Sequence, residues 1–166
     1  ILTDTAVNMR DQGVSAQDII NELELLKKRV RIFAGLDTLE YLCKGGRVSK
    51  GVAGIGTLAN IKPILRFQED GNVELCGKQI GIRHAIRQVA RMVEEDKPDD
   101  RYPLYFLYSY DRGNAVGFVQ ALVKKGFVIE NPKFREIGPT IGTHIGPDGF
   151  GVVYVSQNES EESYGD

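Results

Sequence analysis

Three glycine-punctuated segments hold the residues best suited to chemistry. Gly138-Pro139-Thr140-Ile141-Gly142-Thr143-His144-Ile145-Gly146-Pro147 has two Pro and three Gly in ten residues, a density of turn formers that predicts a rigid, irregular loop. His144 sits near its centre beside Thr143. An imidazole can move a proton near neutral pH or hydrogen-bond an anion, and stiff loops are common places to hold such a group. Lys44-Gly45-Gly46-Arg47-Val48-Ser49 joins a Gly-Gly to a helix start. Backbone N–H groups and the Arg47 guanidinium there could meet an anion, although the Lys-Ser/Thr pair and spacing of a P-loop are missing. Asn60-Ile61-Lys62-Pro63-Ile64-Leu65 is a strand entry whose backbone Pro63 fixes. Each segment also has a plainer reading: a structural histidine, a tight turn with a surface Arg, and an edge strand with Lys62 in water.

The remaining residues exclude several classes. No nucleophile, base and orienting group can be assembled around either histidine. His84 falls on a helix face between Arg83 and Arg87. The acidic pairs Glu94-Glu95 and Asp99-Asp100 read as solvated surface. Cys43 and Cys76 make no CxxC and no metal-ligand spacing with the histidines, so neither a disulfide framework nor a metal site is expected. Nothing calls for a cofactor. A net charge of −2 offers no broad attraction to nucleic acid. The basic run Lys27-Lys28-Arg29-Val30-Arg31 is explained by the negative end of a helix dipole and a solvated face. No stretch approaches the roughly 20 apolar residues that cross a membrane, and a reducing cytoplasm is the expected setting.

Periodicity supplies the elements that must position these segments. Ile1 to Met9 and a helix capped by Ser15, with Ile19, Ile20, Leu23 and Leu26 on one face, open the chain. Residues 29–36 alternate as a strand. Asp37 is expected to cap a short helix that Gly45-Gly46 ends. The small-residue stretch from Ser49 to Asn60 reads as a closely packed helix, despite about 1 kcal/mol for each interior Gly. Ile61 to Phe67 and Val73 to Ile80 form a hairpin. Gly81 to Glu95 and Asn114 to Lys125 are predicted amphipathic helices around a buried strand, Leu104 to Tyr110. Phe127 to Ile129, Lys133 to Ile137 and Phe150 to Val155 are the last predicted strands. One hairpin among alternating strands and helices predicts an α/β (α+β) fold, a mixed, partly antiparallel sheet flanked by helices. Its expected divisions are two helices over residues 1–30, a domain over 31–156, and a disordered acidic tail over 157–166. Ile1 enters helical periodicity at once, as a chain trimmed from a longer one would.

Taken in order, these segments resemble the DegV family of bacterial fatty-acid-binding proteins. The stretches that carry the likeness are Asp37-Thr38-Leu39-Glu40-Tyr41-Leu42, Lys44-Gly45-Gly46-Arg47 and Asn60-Ile61-Lys62-Pro63-Ile64-Leu65. Ile137-Gly138-Pro139, Ile141-Gly142-Thr143-His144 and Gly146-Pro147 with Gly151 complete the set. The resemblance implies the C-terminal part of a two-domain protein whose N-terminal α/β half is mostly missing here. It implies a long-chain fatty acid in a buried pocket, its carboxylate held by His144 and Arg47, with Thr143, Gly142 and Lys62 as further binding residues. It implies no catalysis by this chain, which would present the carboxylate to the catalytic subunit of a fatty acid kinase for phosphorylation to an acyl phosphate. Transient contact with a membrane surface would fit such a carrier. The family's Lys-x-Arg-Gly after the hairpin reads Lys78-Gln79-Ile80-Gly81 here, so Ile80 replaces an Arg associated with the kinase step. The alternatives are a ligand-free regulatory or interaction module and, less favoured, a small-molecule enzyme using His144 as general base.

Overall fold

Alternating apolar residues place the strands and 3.6-residue stripes place the helices; the computed structural model describes residues 1–46, 60–68 and 70–158. Helices α1 (Leu2–Asp11) and α2 (Ala16–Lys27) come first. Ser15 caps α2 as expected, its hydroxyl accepting from the Asp18 amide at 3.2 Å. Strand β1 (Val30–Gly35), helix α3 (Glu40–Lys44), strands β2 (Ile61–Phe67) and β3 (Val73–Ile80), and helix α4 (Ile82–Asp96) follow. Strand β4 (Tyr105–Tyr108), helix α5 (Gly113–Val123), strand β5 (Lys133–Glu136), helix α6 (Pro139–Ile145) and strand β6 (Phe150–Val155) complete the order. The predicted helix over Ser49 to Asn60 falls, but for Asn60, outside the described residues.

The strands form one six-stranded sheet in the order β3-β2-β1-β6-β4-β5. The β2–β3, β1–β2, β1–β6 and β4–β6 pairs are antiparallel, and β4–β5 is parallel. This is the mixed sheet the sequence predicts. Strand pleating sends alternate side chains to opposite faces, and the two faces carry separate cores. On one, Phe33, Ile64, Phe106, Phe150 and Val152 pack against α4 (Ala85, Val89, Val93) and α5 (Phe118, Leu122). On the other, Ala34 and Leu65 meet Leu36, Leu39, Leu42 and Ile145, which places α3 and α6 together over that face.

Several expectations are corrected. Phe127 to Ile129 forms no strand; Phe127 and Ile129 pack on the first core while Val128 is exposed, so the short apolar run is a packed loop rather than part of the ladder. The α3 helix begins at Glu40, and Thr38 Oγ1, not Asp37, accepts from the Glu40 amide at 3.1 Å. Helix α5 is not amphipathic, because no charged residue lies between Gly113 and Val123. Asp99 is buried rather than solvated. Its carboxylate accepts from Arg29 at 2.5 Å and from Arg101 at 2.6 and 2.9 Å. Arg31 in the supposedly solvated basic run is likewise buried, donating to the Lys28 and Asn158 carbonyls and lying 3.6 Å from Asp96. Gln157 and Asn158 are hydrogen-bonded into the domain rather than forming the start of a free tail. These charges tie the start of β1 to the end of β6, so a run of like charge in sequence serves as a junction in space.

Candidate functional site

The segment predicted as an irregular loop is the short helix α6, and the signals for it are local. Gly138 is the N-cap in extended conformation, Pro139 opens the helix, and Gly146 ends it with φ 76°. Pro inside the start and Gly past the end is the normal asymmetry of a helix. Seven residues cannot hold a helix in water unaided, so tertiary contacts must fix it. Ile145 is buried in the second core. A β-carbon on Gly146 would fall 2.3 Å from the Tyr41 ring, so the bare glycine lets α3 and α6 touch. Ser109, at the end of β4, donates its hydroxyl to the Gly146 carbonyl at 2.6 Å. Its amide donates to Gly149 O, and its carbonyl accepts from the Asp148 amide. Asn114 adds a bond to the Asp148 carbonyl at 2.8 Å.

This arrangement fixes His144 in the last turn of α6. The Nδ1 edge of the imidazole faces the Cα of Gly45, where a β-carbon would lie 2.1 Å from Nδ1 and 2.7 Å from Cε1. Nδ1 is buried and has no hydrogen-bond partner among the described residues. A buried polar atom left unpaired costs about 1–3 kcal/mol, so a further hydrogen-bonding group at this nitrogen would be stabilising. No carboxylate or hydroxyl among the described residues engages it, so an activated-nucleophile arrangement is not present there.

The predicted binding residues divide as follows. His144, Thr143 and Gly142 share α6, and Gly45 of the Gly-Gly-Arg segment joins them in space. Thr143 is exposed, its hydroxyl donating to the Thr140 carbonyl at 3.0 Å. Gly142 lies half-buried, with room for a β-carbon beside the Ile137 carbonyl. Lys62 is engaged elsewhere: its ammonium meets the Asp37 carboxylate at 2.5 Å and the Asp37 carbonyl at 3.2 Å. That pair clamps β2 to the β1–α3 corner, which indirectly orients α3. Arg47 lies outside the described residues. The sequence reading missed Tyr41, Ser109 and Asn114. Only a lone Ser in an aromatic strand marked Ser109 beforehand.

Two other reactive groups are committed or quiet. Burial pushes the Cys76 thiol up to about 11, with Glu74 adding to it, so it stays protonated and unreactive. Burial, then the Asp96 carboxylate that accepts its hydroxyl at 2.6 Å, raises Tyr154 far above the usual phenol range. Among the described residues no group of three His, Cys, Asp or Glu could hold a metal, and no helix is long and apolar enough to cross a membrane.

Fold and site define an α+β domain with a mixed sheet, in which an imidazole whose Nδ1 has no partner among the described residues is carried by a short helix docked on one sheet face. The chain belongs to the DegV family: the family model described as "Uncharacterised protein, DegV family" matches residues 1–157. A DegV domain-containing protein of Streptococcus pyogenes is 32% identical over 157 residues, 95% of this chain and 54% of that protein. The crystal structure of the fatty acid binding DegV family protein SAG1342 from Streptococcus agalactiae superposes with a TM-score of 0.81 at 27% identity, covering 95% of this chain and 55% of that one. The Fatty Acid Kinase (Fak) B3 protein of Streptococcus pneumoniae, solved loaded with linoleic acid, shares the fold at a TM-score of 0.83 and 16% identity, covering 94% of this chain and 55% of that one. The chain thus spans about half the length of the relatives it matches.

Proposed function

We propose that the chain supplies one wall of a fatty-acid-binding site in which His144 receives the carboxylate, and that it catalyses nothing itself. The observation that carries this reading is the buried Nδ1 of His144, unpartnered among the described residues, next to Ile145, which packs into the apolar core of Leu36, Leu39, Leu42 and Leu65. A carboxylate leaving water must find charged or hydrogen-bonding company; an imidazole N–H donates to it, and a protonated ring does so with charge assistance. The acyl chain contributes about 0.8 kcal/mol for each buried CH₂. The Streptococcus agalactiae protein, fatty acid binding and 27% identical, supports the same ligand class here. Gly142, Thr143, Arg47 and Lys62 remain proposed members of the binding set, with Lys62 acting through its clamp on Asp37.

A second half, of the kind present in the longer relatives, would close the site. The finer proposal is that the bound carboxylate is then presented to a separate fatty acid kinase. It rests on the family resemblance and on the likeness to the Fatty Acid Kinase (Fak) B3 protein of Streptococcus pneumoniae. The test is lipid extraction from the purified full-length protein with titration of oleate into the delipidated form. A co-purifying long-chain acid and a weakened oleate affinity in His144→Ala are expected. A variant that binds oleate like the parent would remove His144 from the site.

A further inference from the structure

We propose that the outer face of α4 and α5 is a docking surface for an acidic, amphipathic helix of a partner protein. Helix α5 is 11 residues long without a charge. A helix apolar all round is normally buried all round, yet Val116 and Val123 of α5 are exposed at 37% and 49%. With Gln120 they lie at positions i, i+4 and i+7, a single outward stripe. Beside that stripe, α4 and α5 enclose a groove of about 500 Å³. Its floor is made by Ala90, Gly117 and Ala121, whose small side chains admit close approach. A β-carbon on Gly117 would sit at an ordinary 3.5 Å from the Ile86 Cδ1, so α4 packing does not require the glycine. An interior Gly costs about 1 kcal/mol in a helix, and close approach from outside gives it a use.

The rim identifies the occupant. Arg83, Arg87, Lys124 and Lys125 line the groove and no carboxylate does. Lys125 is paired with Glu94 at 2.5 Å, while Arg83, Arg87 and Lys124 have no ion-pair partner among the described residues. Three free cations around an apolar slot, on a chain of net charge −2, complement carboxylates flanking an apolar ridge. A second copy of this chain would bring like charges together, and a planar bilayer would leave the concave floor unfilled. A helix lying between two helices fills it by ridge-in-groove packing, and its acidic flanks meet the rim.

The test replaces Gln120 with a photoreactive phenylalanine in the full-length protein in its host cell and sequences the cross-linked peptide. One adduct is expected, on a segment with apolar residues at helical spacing and net negative charge. Its yield should fall about tenfold in Arg83→Glu/Arg87→Glu, while that variant binds oleate as the parent does. An adduct with a second copy, with lipid, or with a basic or non-helical segment overturns the proposal. So does the absence of any adduct, or an adduct indifferent to the charge reversal. Oleate binding is read separately, so failure here leaves the fatty acid site standing.

Discussion

Gly45→Ala separates the site from the fold that carries it. Gly45 has φ −77° and ψ −4°, a conformation alanine adopts freely, and stiffening the unfolded chain at such a position adds about 0.4–1 kcal/mol of stability. The obstacle is the imidazole. The new β-carbon would lie 2.1 Å from His144 Nδ1 and 2.7 Å from Cε1, with the Tyr41 carbonyl oxygen at 3.2 Å. Non-bonded atoms settle at about 3.5 Å, so the ring must retreat by more than about 1 Å. A side chain can swing that far without unfolding the domain, and the melting temperature should stay within a few degrees of the parent. The carboxylate, however, loses its charge-assisted hydrogen bond, worth about 1.5–3 kcal/mol, which is on the order of 10- to 100-fold in affinity. Isothermal titration of oleate into the delipidated full-length protein measures this. His144→Ala should show a similar loss and the double variant little more, since both remove one interaction. Parental oleate affinity in Gly45→Ala would refute the placement of the imidazole at the carboxylate.

Three further outcomes follow from particular contacts. Ser109→Ala leaves the Gly146 carbonyl without its buried donor, and should cost about 1–3 kcal/mol in urea denaturation; stability equal to the parent would dismiss the latch on α6. Arg101 first, then Arg29, hold the Asp99 carboxyl well below the usual carboxylate range. Its folded value therefore lies under the unfolded value of about 3.9, so its contribution is complete above that pH and fades as pH falls toward the folded value. Asp99→Asn should lower stability by about 1.5 kcal/mol at neutral pH, the low end for hydrogen bonds to a charged group because Arg101 is solvent-exposed, and flatten the acid side of the curve, and an unchanged pH dependence would contradict the pairing. Ile80 stands 70% exposed at the end of β3, where the family resemblance implies an Arg. Ile80→Arg should raise acyl phosphate formation with a fatty acid kinase subunit, and no gain in that coupled assay would detach the position from the kinase step.

Local signals carried much of the architecture. Alternation around Asp70-Gly71-Asn72 made the β2–β3 hairpin legible, and the stripe Ala85, Ile86, Val89, Val93 made α4 so. What failed depended on distant partners. Asp37 looks like a cap until Lys62, 25 residues later, takes its carboxylate. Asp99 looks solvated until Arg29, 70 residues earlier, reaches it. Phe127 to Ile129 has strand composition but no neighbouring strand to pair with. Pro139 and Gly146 bound α6, yet the density of Gly and Pro around them reads as a loop without the docking of Ile145 in the second core. At the site, family likeness marked both the Gly-Gly-Arg segment and His144. No spacing rule, though, could reveal that Gly45 and His144 meet face to face, because that contact is made by two short helices docked on the same sheet face.

The most direct test is a crystal structure of the full-length protein with oleate bound. A carboxylate oxygen within about 3.2 Å of a His144 ring nitrogen is the predicted result. An oleate bound elsewhere, or a His144 ring turned to solvent with no carboxylate beside it, would contradict the account.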